Sequence, residues 1–179
     1  TLDLQVASGD AITHEINWPV PKRFDTFGFD NFGYDNTVIL PVTVEGHPKG
    51  AVVQIIGQMR ALACADICVP LAGKLRLNIA DGPATASSYA MDIARYKAKV
   101  PRSNGASPIQ VETIWQDGAN LKVQFAANGP VIDEIFVEGA PGVAFKKPVY
   151  ANGVASIALE GKLDTSLTGQ ILDLTTVAG

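Results

Sequence analysis

Cysteine is almost absent from this chain: two residues in 179, Cys64 and Cys68. Two cannot form a disulfide scaffold for a chain this long, and with 47% apolar residues it can bury a core without one. Histidine is as scarce. His14 and His47 stand in separate contexts with no neighbouring Ser or Asp motif, so no hydrolase triad is readable. Charged residues make up only 18%, and the net charge of −4 leaves no basic footprint for nucleic acid or an anionic membrane surface. Apolar residues come in short alternating runs and never as a block long enough to span a bilayer. There is no glycine-rich phosphate cradle. No signal peptide precedes "TLDLQV", so the chain reads as a mature or trimmed product if it is secreted.

What is present is β-patterned. "NTVILPVTV" (36–44), "AVVQIIGQMRALA" (51–63) and "KLRLNIA" (74–80) are rich in β-branched and alternating apolar residues and predict strands. In the last, Leu75, Leu77 and Ile79 point one way and Lys74, Arg76 and Asn78 the other, the pattern of a strand with one wet face. Residues 81–108 change character, with Gly, Pro and Ser at both ends. Tyr89, Ile93 and Tyr96 share one helical face there, Thr85 or Ser87 is placed to cap, and Pro101 follows the end. Beyond it about six short strands recur at intervals of roughly ten residues, the first two joined by an Asp117-Gly118 turn. The absence of helix-strand alternation excludes a thioredoxin-type α/β fold.

The expectation is an all-β chain of two immunoglobulin-like β-sandwich domains joined by a short helical linker. Its boundaries are 1–83, 84–105 and 106–179, with the chemistry in the first domain and a spacing or docking part for the second.

Cys64 and Cys68 bracket Ala65-Asp66-Ile67, a tight turn at the end of a predicted hairpin. Residues four apart across such a turn can bring their α-carbons within the roughly 4.4–6.8 Å that a disulfide needs. A loop this short gains little stability from crosslinking, because the entropy removed from the unfolded chain grows with loop length. The pair therefore reads as a reversible dithiol, one thiolate attacking a partner's disulfide and the other resolving it. Free buried thiols or an inert small-loop disulfide are the alternatives. Zinc needs about four ligands and finds only His14 and His47 besides, so no metal site is expected.

A second feature is "FDTFGFDNFGYDN" (24–36), which holds five of the chain's thirteen aromatic residues among Asp, Gly and Asn. Such a Gly-hinged loop could lie over a reactive site and exclude solvent, or its rings could be core anchors. Asp66 could accept a proton or disfavour a thiolate, or serve only as a turn former.

"NWPVPKRF", "FGYDNTVILPVTV" and "CADICVP" with a Leu-alternating strand after it follow one another in an order that resembles the periplasmic amino-terminal region of the DsbD/ScsB group of thiol:disulfide interchange proteins. "FVEGAPGVAFKKPVY" resembles the second β-domain of the ScsB branch, so the likeness runs from about Trp18 to Tyr150. The spacing of three residues between the cysteines follows ScsB and not the five of the DsbD module. The group also leads one to expect further chain upstream of "TLDLQV", as in a trimmed chain, or else a small first domain.

The resemblance implies a periplasmic domain of an inner-membrane protein that acts as a protein-disulfide reductase, tethered to a membrane domain absent from this chain. A thioredoxin-like relay domain of the full-length protein would supply electrons, and thioredoxin-like periplasmic proteins would be the clients. By resemblance Cys68 forms mixed disulfides, Cys64 resolves them, and Phe27, Phe29, Phe32 and Tyr34, with Asp66, form the cap and partner-binding elements. No cofactor is implied, since the cysteines carry the electrons. A different class remains open: a non-catalytic β-sandwich binding module with a permanent bridge, including a copper-handling one, since two thiolates suit Cu(I).

Overall fold

Alternating apolar residues set most of the chain in strands. The computed structural model describes residues 2–6, 12–26, 29–48, 50–83, 85–102, 107–161 and 166–178. In chain order the strands are β1 (Leu2–Val6), β2 (Thr13–Ile16), β3 (Lys22–Thr26), β4 (Phe29–Gly33), β5 (Val42–Glu45), β6 (Val53–Cys64) and β7 (Cys68–Ile79). The helix α1 (Ala90–Lys97) follows, then β8 (Val111–Asp117), β9 (Asn120–Phe125), β10 (Glu134–Glu138), β11 (Ala144–Phe145), β12 (Val149–Ala151), β13 (Val154–Glu160) and β14 (Asp173–Val177). The chain is mostly β with one short helix among the described residues, and its sheets are small.

The chain divides into two compact units, one of Thr1–Pro19 with Val38–Val100 and the other of Val20–Thr37 with Pro101–Gly179. The aromatic stretch therefore groups with the carboxy-terminal strands, and the helix groups with the cysteine hairpin.

In the first unit β1, β6 and β7 form an antiparallel sheet in that order, and β2 pairs with β5. The side chains of Leu4 and Val53 are buried. Gly57 lies opposite Leu4 in the ladder, and a β-carbon there would come within 2.5 Å of Leu4 Cδ2, so any larger residue would have to displace the buried Leu4 side chain. Asn17 ties the β2–β5 pair together, its Nδ2 donating to Thr43 Oγ1 at 3.0 Å and its backbone N–H to the Pro41 carbonyl at 2.8 Å. The helix is entered through Ser87, whose Oγ accepts the Tyr89 N–H, and it carries Asp92 in its first turn and Arg95 and Lys97 in its last, complementing the helix dipole.

The second unit contains the larger core. A five-stranded antiparallel sheet runs β11-β13-β9-β8, with β12 also paired to β13, and β10–β14 and β3–β4 form two-stranded sheets. On β9 the alternation is strict: Leu121, Val123 and Phe125 point inward against Ala155 and Ile157 of β13 and Ile135 and Val137 of β10. Gly118, with φ +55°, makes the turn between β8 and β9 where Asp117-Gly118 predicted one. Gly139 adopts φ +105°, and any β-carbon there would strike the Ile171 carbonyl oxygen.

Candidate functional site

The β6–β7 hairpin is the longest among the described residues, with twelve cross-strand pairs from Val53↔Ile79 to Cys64↔Cys68. Its strands alternate as the sequence predicts, but β7 begins at Cys68 and not near Lys74. Pro70 is tolerated because β7 is the edge of its sheet. The last rung places the two cysteines directly opposite each other, with α-carbons 4.0 Å apart and a disulfide of S–S 2.06 Å. Ala65, Asp66 and Ile67 form the turn, closed by the Ala65 N–H donating to the Ile67 carbonyl at 3.1 Å. Every residue from Ala61 to Ala72 is exposed, including Leu62 and Ile67. The bridge thus stands at the tip of a two-stranded arm.

This arrangement has a chemical meaning. Exchange requires a thiolate to reach one sulfur of a disulfide, so exposure governs the rate, and a bridge at an arm's tip can open without disturbing a core. Asp66 is exposed at the turn between the two sulfur-bearing residues.

The other expected site residues lie in the second unit. Phe27 falls outside the described residues. Phe29 and Phe32 are in β4, which pairs with β3 from Lys22↔Gly33 to Thr26↔Phe29, so residues 24–26 and 29–33 of the Gly-hinged stretch are paired strands and not a loop. The Phe32 ring meets Phe136 edge-on at 5.2 Å yet stays half-exposed. Tyr34 follows the strand, with partial burial pushing its phenol pKa up.

Residues 2–79 match the family described as "Thiol:disulfide interchange protein DsbD, N-terminal". This portion of the chain is similar to the amino-terminal region of the DsbD family. It is also similar in structure to the N-terminal periplasmic domain of ScsB from Proteus mirabilis, with a TM-score of 0.73 at 17% identity over 99% of this chain and 72% of that one. At that identity the likeness speaks for the fold. No match to a curated protein was found.

The residue that sequence reasoning missed is Arg23, in the second unit. Its Nε and one terminal nitrogen grip both Glu134 oxygens at 3.1 Å, the other terminal nitrogen meets Asp30 at 3.3 Å, and the Ile135 carbonyl accepts at 3.2 Å. The guanidinium sits 4.8 Å from the Phe32 ring centre and 5.6 Å from that of Phe136. Its side chain is only 8% exposed. A bidentate, ring-stacked arginine is a fastener for the β3–β4 hairpin, and lysine could not reproduce it. Its only sequence signal was a basic pair next to an aromatic run in "NWPVPKRF", with the partner more than a hundred residues away. Beside Arg23 a groove of about 570 Å³ is lined by Lys22, Asp25, Asp30, Glu134 and Lys147 among others, charges of both signs. Among the described residues no group of three or more His, Cys, Asp or Glu is placed to hold a metal ion, and no helix is long and apolar enough to cross a membrane.

Proposed function

We propose that this chain is a periplasmic thiol:disulfide interchange module that passes electrons from a membrane-embedded reductase, by way of a thioredoxin-like relay domain, to thioredoxin-like client proteins. The observation that carries the reading is the Cys64–Cys68 bridge, exposed at a hairpin tip within the portion that matches an interchange family. In the reduced module the Cys68 thiolate attacks a client disulfide and releases one client thiolate. The Cys64 thiolate then attacks Cys68 Sγ, the client leaves as a dithiol, and the Cys64–Cys68 bridge re-forms. Two electrons and two protons pass to the client, and a dithiol of the relay domain restores the module. The sulfurs carry the electrons, so the exchange needs no cofactor.

In this reading Phe27, Phe29, Phe32 and Tyr34 form the partner-facing aromatic element, and the two units are immunoglobulin-like sandwiches. The periplasmic setting is supported by the described location of the ScsB domain. The test is trapping. Cys64→Ser and Cys68→Ser variants are offered an oxidised thioredoxin-like partner, and only Cys64→Ser, which keeps Cys68, should accumulate a mixed disulfide. Trapping by Cys68→Ser alone would exchange the two roles. Trapping by neither would leave a binding module with a permanent bridge, the copper-handling version of which would have to bind Cu(I) after reduction.

A further inference from the structure

The ladder register divides the β6–β7 arm into two faces of opposite character. The odd-numbered positions, 53–63 on β6 and 69–79 on β7, hold only Val, Ile, Leu, Met, Ala and Gly, without one polar side chain. The even-numbered positions hold the disulfide, with Gln54, Gln58, Lys74, Arg76 and Asn78 among others. Burial does not account for the apolar face. Met59, Val69, Leu71, Leu75, Ile79 and Leu77 remain 38–55% exposed along it, and in the first unit Leu4 and Val53 are the only buried hydrophobic side chains among the described residues. A sheet with one face entirely apolar and bare is half of a two-layer structure.

Same-face neighbours stand about 6.8 Å apart along a strand and about 4.8 Å apart across strands, so the ten positions of this face that keep some exposure cover roughly 330 Å² in projection. Side chains stand proud of the sheet, and stacking two copies would therefore remove an accessible area on the order of 1,000 Å², the size at which specific interfaces begin. The composition selects the partner. Interfaces that form and part, as with an exchange client, are about as polar as the rest of a protein surface, whereas homodimer interfaces are more apolar. A client that reaches the sulfurs meets the even-numbered face, where Cys64 and Cys68 form a rung, and the apolar face points away from it. A second copy supplies an equally apolar flat sheet, and with no charge on the face nothing in one copy repels the other.

We propose that this chain forms a two-fold homodimer in which the apolar faces of two β6–β7 arms stack about 10 Å apart, as the sheets of a sandwich do. Each copy provides the second layer that the other lacks. The two disulfides lie on the outer faces and stay open to clients. The dimer goes beyond the interchange reading and stands without it, because the ladder register and the exposure of the face carry it.

The chain's two methionines report on the contact. Met59 lies on the apolar face in β6, the central strand of its sheet, and Met91 stands 86% exposed on α1. Sedimentation equilibrium of the oxidised full chain at up to about 1 mM should give twice the 18.9 kDa of one chain, falling toward 18.9 kDa on dilution. Across the same dilution the rate of Met59 sulfoxide formation by hydrogen peroxide should rise several-fold while that of Met91 holds constant. Leu71→Lys/Leu77→Lys, at two exposed positions of the face, should be a folded monomer with a reactive Met59, whereas Leu62→Lys on the even-numbered face should still dimerise. A native chain that stays at 18.9 kDa up to about 1 mM overturns the proposal and leaves the face to a different protein or to a further part of a longer polypeptide. A double variant that still dimerises overturns it as well. So does a dimer in which Met59 oxidises at one rate at every concentration, since the contact then lies elsewhere, the outer edge of β7 included. If the double variant does not fold, the native Met59 rates decide on their own.

Discussion

Removing the Cys64–Cys68 bridge should cost little stability, and the cost can be worked out. The bridge closes a loop of five residues. The chain-entropy relation puts the loss for so short a loop at about 7 cal/mol/K, or about 2 kcal/mol at 25 °C. The eleven remaining pairs, from Val53↔Ile79 to Ala63↔Val69, hold the arm in register without it. The assay is urea unfolding of the full chain, oxidised and then fully reduced. Trp18 belongs to the first unit and Trp115 to the second, so a Trp115→Phe variant reports fluorescence from the unit that holds the bridge. The expected result is a cooperative transition in both states, with the midpoint lowered by the equivalent of about 2 kcal/mol or less. A drop beyond about 4 kcal/mol, or loss of the transition on reduction, would mean that the bridge is a structural staple, and the argument for a labile pair would fail.

Other perturbations bear on the framework. Arg23→Met strands Glu134 and Asp30 without their cation, and should destabilise the second unit by about 3–5 kcal/mol in denaturant titration; Arg23→Lys should recover only part of this. Gly57→Val drives a side chain into Leu4 and should cost the first unit about 1–3 kcal/mol, partly relieved by adding Leu4→Ala; full stability in the single variant would mean that the strands separate freely. The Tyr150 phenol is pushed up to about 12 by burial, then by Glu134 and Asp133, with Arg23 opposing. Because its folded pKa exceeds the ordinary value of 10.0, its stability contribution is complete below pH 10 and is lost as pH rises from there through about 12. An ultraviolet phenolate titration with Tyr150→Phe should show the late-ionising group disappear.

The cysteine hairpin was legible because its determinants are local. Period-2 alternation in 51–63 and 74–80, two cysteines and a three-residue turn specify the arm without reference to the rest of the chain. The beginning of β7 was less so, since the predicted strand started only at Lys74, and the edge position of β7 is what lets it run through Pro70. The helix fell inside its expected segment, with Ser87 at its entrance, although no side chain caps it by hydrogen bond at Tyr89. The aromatic stretch was misread as a loop because Asp, Gly and Asn dominate its composition. What makes it a hairpin is Arg23 reaching Glu134 and Phe32 meeting Phe136, pairings at long sequence separation that no local pattern announces. The discontinuous second unit, with 20–37 joined to 101–179, was hidden for the same reason.

The central claim is that Cys64 and Cys68 interchange between disulfide and dithiol. The measurement that tests it most directly is equilibration of the full chain in glutathione buffers of graded poise, with the oxidised fraction read by thiol alkylation. The account predicts a reversible two-electron transition with a midpoint above about −300 mV, within reach of periplasmic thioredoxin-like partners. A bridge that stays closed to more reducing poise than that would contradict it.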